Sequence, residues 1–168
     1  EEKRIAATAE SSAEKGAQVA AQGGGYKSRG EDRPPLRLHS PGLAKGLGEA
    51  HHYLKYDTGL APRTMEIAIL TTARELTNQY EWTQWVEHAQ DAKDPRHLDA
   101  KIVDTILNCR PVTGLDAKDA AVIKLGRETL GRRKVSPETF ADVLRLYGRR
   151  GTVDLVELMA LYSATGAE

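Results

Sequence analysis

The sequence predicts an all-α fold, and three observations support that prediction. From residue 40 onward, apolar residues recur every three or four positions, which is the spacing of a buried helix face. No stretch shows the sustained apolar–polar alternation of a half-buried strand. Proline and glycine interrupt the pattern at intervals that suit single helices. A length of 168 residues, with 40% hydrophobic and 29% charged residues, suits one soluble domain rather than two.

Local signals predict where each helix begins and ends. Ser40 is a favourable N-cap before Pro41, so the first helix of this region should run to about Asp57. Pro62 opens the next helix, which carries so little polar surface that it should be buried. The later predicted helices are residues 80–92, a stretch opened by Asp94 and Pro95, and residues 116–132, 137–147 and 152–164. The last is apolar nearly all round, which predicts a central place in the core or a second subunit over it.

The chain divides by composition into residues 1–37 and a helical domain of residues 38–168. Residues 1–22 are rich in alanine, serine and glutamate and favour a flanking helix, and a Gly/Pro-rich basic loop follows. The run Gly23–Gly25 has no following Lys-Ser pair and no preceding strand, so it does not predict a phosphate-binding loop.

Composition excludes several classes of function. With 24 basic and 24 acidic residues, the net charge is zero, which argues against a nucleic-acid partner. No apolar run reaches the roughly 20 residues that span a bilayer, and no signal peptide is visible, so we expect a cytoplasmic protein without a membrane partner. The single cysteine, Cys109, excludes an intramolecular disulfide framework. The histidines and acids lack metal-ligand spacing, so no metal and no cofactor are predicted.

The candidate site rests on two glutamates at the edges of apolar helical stripes. Glu66 borders the stripe of the helix opened by Pro62, and Glu81 has a similar border position on the next helix. Trp85 and His88 follow Glu81 at i+4 and i+7, so they share its face. A short break between the two helices would let them pack antiparallel and bring these side chains to one partly buried pocket.

This set of side chains suits proton transfer to carbon. A carboxyl group in an apolar pocket has a raised pKa, holds a proton near neutral pH and can deliver it to a carbanion or enolate. The alternative stays open, because a glutamate at the edge of a stripe is also typical of a solvated boundary. By the same argument, Trp82 and Trp85 can be core residues, and His88 can be a boundary residue.

The sequence also resembles a known family. The run from Arg63 to Leu76, followed by Tyr80-Glu81-Trp82 and His88-Ala89, is similar to the signature of the carboxymuconolactone decarboxylase family of the alkylhydroperoxidase D-like superfamily. The resemblance spans about residues 38 to 165. It implies an all-helical, alkylhydroperoxidase D-like bundle of about six to eight helices that assembles as a trimer or hexamer, with a pocket between the signature helices.

The resemblance also implies which branch of the family the chain follows. Glu66 matches the buried glutamate of the family, whereas the two redox cysteines of the peroxidase branch correspond here to Asn78 and Glu81. Thiol peroxidase chemistry is therefore not expected. The decarboxylase-like branch usually has Glu-Trp-x-x-His, and Trp85 stands where that histidine is usual. Because an indole cannot act as an acid or base, His88 can supply the imidazole, the two glutamates can suffice, or the site can serve another substrate or binding alone.

We therefore predict a cofactor-free lyase, similar to 4-carboxymuconolactone decarboxylase, acting on a small carboxylate or lactone in aromatic compound catabolism. The predicted catalytic residues are Glu66, Glu81 and His88, and the predicted pocket residues are Asn78, Tyr80, Trp82 and Trp85. Two alternatives remain open: another reaction on the same scaffold, such as that of a hydrolase, isomerase or cyclisation catalyst, and non-catalytic binding of a small molecule.

Overall fold

The computed structural model describes residues 39–165, and every regular element in that range is helical. The α-helices are α1 Pro41–His52, α2 Pro62–Glu75, α3 Gln79–Gln90, α4 Ala100–Leu107, α5 Ala117–Gly126 and α6 Pro137–Thr165. Two single-turn π-helices follow α1 and α5 directly, at Tyr53–Asp57 and Arg127–Gly131. No β-strand occurs between residues 39 and 165, so the predicted all-α class is confirmed for this part of the chain.

The chain separates into two units next to Ala50. Residues up to Ala50 belong to one unit, of which the structure describes residues 39–50, and His51–Ala167 belong to the other. The predicted helix and basic loop of residues 1–37, with the boundary after them, lie outside the described residues. The candidate site lies wholly within the larger unit.

Helix α2 provides the centre of the larger unit and packs against α3, α5 and α6. Every residue from Glu66 to Ala73 is buried, which confirms the prediction for this apolar helix. Burial of each large apolar side chain here contributes about 1.5–3 kcal/mol relative to exposure. The fully buried partners from other elements include Leu98, Ile106, Ile123, Leu125, Leu155, Leu158 and Met159.

A short connection folds α3 back onto α2. Thr77 takes a left-handed conformation with φ 54° after the last turn of α2. The Asn78 side-chain oxygen then accepts a hydrogen bond from the Glu81 N–H at 3.1 Å, which satisfies a free donor in the first turn of α3. The break predicted at Asn78 and Gln79 is confirmed at Asn78, whereas Gln79 already belongs to α3. The break folds α3, which carries Glu81, back onto α2, which carries Glu66.

Two glycines shape the rest of the core. At Gly126 an added Cβ would lie 2.6 Å from the Thr71 side chain, so the glycine permits the close approach of α5 to α2. Gly148 has φ 69° and ψ 179° inside α6, which separates residues 137–147 from 149–165 as the sequence predicted. Leu155, Leu158 and Met159 of the second half are fully buried, in agreement with a central last helix.

The predicted helix start at Asp94 and Pro95 is wrong, because α4 begins at Ala100. The Asp94 carboxylate accepts hydrogen bonds from the backbone N–H and the guanidinium of Arg96, both at 2.8 Å, and these bonds close a turn instead of a helix. Leu98 N–H donates to the Ala89 carbonyl at 2.9 Å, which ties this turn to the end of α3.

Candidate active site

Glu66 is a completely buried acid without a partner. Its exposed fraction is 0%, and neither carboxyl oxygen has a hydrogen-bond partner among the described residues. Burial raises the pKa of Glu66 to about 8, although the positive charges of Arg96 and Lys55 act to lower it. Glu66 is therefore mostly protonated at neutral pH, as the sequence argument required of a proton donor.

Glu81 and Trp85 form a pair on the facing side of α3. The Trp85 indole Nε1–H donates to Glu81 Oε2 at 2.9 Å, from one turn further along the helix. Glu81 is 7% exposed, and its backbone N–H is held by Asn78. The carboxylate and the indole therefore fix each other's orientation.

Charged and aromatic groups surround the Trp85 ring. Lys55 Nζ lies 4.8 Å from the ring centroid, and Arg96 Cζ lies 5.6 Å from it, both in cation–π geometry. Tyr162 packs edge-on against the ring with centroids 5.3 Å apart. Burial, followed by the charges of Glu81 and Glu66, raises the pKa of Tyr162.

His88 is held by an ion pair. Its Nδ1 lies 2.8 Å from Arg96 Nη2 and 3.1 Å from Asp94 Oδ2, so it can accept from the first or donate to the second. Arg96 Nη2 lies 2.6 Å from Asp94 Oδ2, and the hydrogen bond from Arg96 holds the pKa of Asp94 well below its ordinary value. His88 also contacts the Trp85 ring, with centroids 5.8 Å apart.

Contacts join seven of these side chains, and Glu66 interacts electrostatically with four of the seven, Lys55, Asp94, Arg96 and Tyr162. We call this group the Glu66 cluster; its members are Lys55, Glu66, Glu81, Trp85, His88, Asp94, Arg96 and Tyr162. The structure brings four predicted site residues into it and places Asn78 at its edge as the N-cap. Trp82 is half-buried and makes none of the ring or hydrogen-bond contacts that join the cluster. Tyr80 lies in the first turn of α3 with 54% of its surface exposed.

Sequence reasoning missed four members of the cluster. Lys55 was placed only on a helix before Thr58, and Tyr162 only in an apolar last helix. Asp94 and Arg96 were read as the start of a helix. One signal was available for Asp94 and Arg96, since they are opposite charges two residues apart, shortly after the helix that carries His88.

An open cleft of about 570 Å³ lies elsewhere in the larger unit. It is lined by residues of the loop 58–63, the first turn of α5 and the break in α6. No member of the Glu66 cluster lines this cleft. The cleft is lined by Asp119, whose carboxylate is paired with Arg63, whereas the Glu66 cluster contains a buried acid with no hydrogen-bond partner among the described residues, which makes the cluster the candidate site.

Residues 39–165 contain no group of three or more His, Cys, Asp or Glu side chains placed to hold a metal ion. None of the described helices is both long enough and apolar enough to cross a membrane.

The chain matches no protein-family model, no curated protein and no solved structure. The resemblance to the carboxymuconolactone decarboxylase family therefore remains a prediction from the sequence motifs.

Proposed function

We propose that the protein is a lyase of the carboxymuconolactone decarboxylase type, and that Glu66 protonates the carbon from which a small cyclic or unsaturated carboxylate loses CO₂. One observation carries the proposal: Glu66 is fully buried, has no hydrogen-bond partner among the described residues and has its pKa raised to about 8. A protonated acid that no protein group uses is suited to donate its proton to a substrate.

The reaction balances without an oxidant or reductant. The bond between the carboxylate carbon and its neighbour breaks, and the electron pair passes into a conjugated carbonyl or lactone. CO₂ leaves, and the resulting enolate takes the proton of Glu66 at carbon. Glu66 regains a proton from solvent. Overall, one carboxylate is exchanged for one hydrogen.

The other members of the cluster have supporting roles in this proposal. Glu81 keeps one oxygen on the Trp85 indole and uses the other to pass a proton between solvent and the region of Glu66. Trp85 has no acid or base function and serves as an aromatic wall for a planar substrate. His88 contacts Asp94 and Arg96 through Nδ1, and its role is to hold the Arg96 guanidinium in position.

The remaining parts of the proposal concern assembly and setting. The all-helical architecture and the family motifs support an alkylhydroperoxidase D-like bundle that forms a homotrimer or homohexamer. The same motifs support a cytoplasmic enzyme of aromatic compound catabolism. Sedimentation of the purified chain distinguishes a monomer from a trimer or hexamer.

The decisive experiment is CO₂ release from 4-carboxymuconolactone and related unsaturated lactone carboxylates, with Glu66→Gln and Glu81→Gln. We expect Glu66→Gln to lower kcat by about 10²–10⁴-fold, the usual contribution of a positioned general acid. Glu81→Gln should lower kcat less, since solvent can replace a relay. The matched control is Glu87→Gln, an exposed position on α3. Wild-type turnover in Glu66→Gln would remove the mechanism.

A second candidate function is ligand binding without turnover, or a different reaction on the same scaffold. It is favoured by Trp85, because two cations, Lys55 and Arg96, lie over its ring, and their charges attract an anionic ligand. This candidate predicts that a screen of small carboxylates finds a bound ligand without CO₂ release. It also predicts that exchange of both glutamates leaves the affinity unchanged.

A further inference from the structure

Lys55 is a half-buried cation without an ion-pair partner. Its ammonium lies over the Trp85 ring at 4.8 Å, and no carboxylate of the described residues lies within ion-pair distance of it. Burial, and then the charge of Arg96, lowers the pKa of Lys55, so the free ammonium is costly in this position. Buried lysines are ordinarily paired, which makes this arrangement unusual.

None of the neighbouring charged side chains forms an ion pair with Lys55 among the described residues. Arg96 is committed to Asp94 at 2.6 Å, so that pair is neutral as a whole. Glu66 acts on Lys55 electrostatically, but it is mostly protonated at neutral pH. Glu81 acts on Lys55 as well, yet one of its oxygens is occupied by the Trp85 indole. Lys55 therefore lies beside an aromatic ring, and its ammonium has no carboxylate of the described residues within ion-pair distance.

The backbone supports a functional reading of this position. Lys55 is the middle residue of the π-helix Tyr53–Asp57, which follows α1 without a break. Single π-turns at the end of an α-helix change the direction of the side chains they carry and are frequent at functional sites.

We propose that Lys55 is the residue that selects the substrate, and that its ammonium binds a carboxylate which stays on the product, above the face of Trp85. The reaction assigned to this carboxylate rests on the proposed function, whereas the binding itself does not. Contact with the departing carboxylate would oppose the reaction, because a cation stabilises that group most before it becomes neutral CO₂. The preferred substrate class is therefore a dicarboxylate.

Steady-state kinetics with Lys55→Gln test the role of Lys55 in turnover. For a dicarboxylate substrate we expect KM to rise about 10- to 100-fold, the worth of a hydrogen bond to a charged group, with kcat within a few-fold. Because the charge of Lys55 lowers the pKa of Glu66, the fall of activity above about pH 8 should move to higher pH. Lys55→Arg should restore both values. The matched control is Lys124→Gln, at an exposed lysine.

Calorimetry at pH 7 tests binding without turnover, with fumarate as the probe and the neutral diamide fumaramide as its control. Fumarate should bind the wild type and Lys55→Arg, and its affinity should fall about 10-fold or more in Lys55→Gln. Fumaramide should not bind. If Lys55→Gln does not fold, Lys55→Met replaces it, because methionine keeps the apolar stem.

The outcomes separate the two proposals. If fumarate binding depends on Lys55 but no substrate releases CO₂, the decarboxylase proposal is wrong and the proposal for Lys55 stands. If Lys55→Gln releases CO₂ with an unchanged KM and an unchanged pH profile, the proposal for Lys55 is wrong and the decarboxylase proposal stands.

Discussion

Helix α2 carries Arg63 and Glu66 one turn apart, and each belongs to a buried acidic site. Arg63 donates to Asp119 through Nε at 3.3 Å and Nη2 at 3.0 Å, and Nη2 also contacts Asp99 at 2.9 Å. Asp119 is 5% exposed. Glu66 is more deeply buried than Asp119, yet no described residue donates to it.

The difference between these two sites shows that burial does not by itself make an acid reactive. The Asp119 carboxylate is held by a charge-assisted contact in which two guanidinium nitrogens of Arg63 donate to the same oxygen, Oδ2. Glu66 has lost water without gaining a partner, so its charged form is the costly one. The first site should be sensitive to the loss of its partner, and the second should be sensitive to pH.

The largest expected effect on stability is a pH dependence caused by Glu66. Its pKa is about 8 in the folded chain against 4.5 for an ordinary glutamate, so the folded state holds the extra proton between these values. The free energy of unfolding therefore falls as pH rises through this window, whereas in Glu66→Gln that contribution is absent. Between pH 5 and 8 the wild type should lose about 2–4 kcal/mol relative to the variant, at about 1.4 kcal/mol per pH unit.

Urea unfolding at several pH values measures this difference. Asp94 acts in the opposite direction, because its lowered pKa stabilises the folded chain above the ordinary value near 3.9 and is lost below it. Its effect therefore lies at a lower pH than the window of Glu66. Trp82→Phe, a neutral change on the adjacent helix, is the control and should keep the wild-type slope. Equal slopes in wild type and Glu66→Gln would contradict the assignment.

The next effect is the cost of removing the partner of Asp119. Arg63→Met leaves a buried carboxylate without its guanidinium, a change that usually costs about 3–5 kcal/mol for a fully buried pair. The Arg63 side chain is 36% exposed, so solvent screens the pair and we expect about 2–3 kcal/mol. Denaturant unfolding at pH 7 measures the loss.

A surface pair provides the matched control for Arg63. Arg145 and Asp142 are 3.0 Å apart on α6 and largely exposed, so Arg145→Met should cost about 0.5 kcal/mol or less. The double variant Arg63→Met with Asp119→Leu should recover part of the loss, because no buried charge remains unpaired. If Arg63→Met costs no more than Arg145→Met, the contrast between the two acidic sites is wrong.

Features that depend on nearby positions along the chain could be predicted from the sequence. Glu66, Glu81, Trp85 and His88 lie on two consecutive helices joined by a short turn, so helical periodicity was enough to place them together. The break at Gly148 was predicted for a similar reason, since local conformation determines it.

Features that depend on distant contacts were not predicted. Lys55 lies near the first residue of the larger unit and Tyr162 near its last, yet both contact the Trp85 ring. No periodicity relates helices so far apart in sequence. Asp94 has the local pattern of a helix start, but its ion pair with Arg96 and His88 overrides that preference. Asp119 lies in the first turn of α5, and its contact with Arg63 spans 56 residues, so no local pattern predicts that contact.

The smallest effect concerns the contacts beside Glu66. Trp85→Phe removes the indole N–H that donates to Glu81 and weakens the attraction of Lys55 to the ring. We expect a loss of about 1 kcal/mol, since the ring is half-buried and solvent can replace part of the bond. The denaturation midpoint of Trp85→Phe, compared with that of Trp82→Phe, measures it.

Trp82 is the appropriate reference because it lies on the same helix, is also half-buried, and its indole N–H makes no hydrogen bond among the described residues. Trp82→Phe removes similar apolar surface but leaves no hydrogen-bond acceptor without its donor. A larger loss at Trp85 would mean that Glu81 is stabilised by its partner, as Asp119 is. Equal losses would mean that the Trp85–Glu81 bond adds nothing to stability, and that neither Glu66 nor Glu81 has the structural support that Arg63 gives to Asp119.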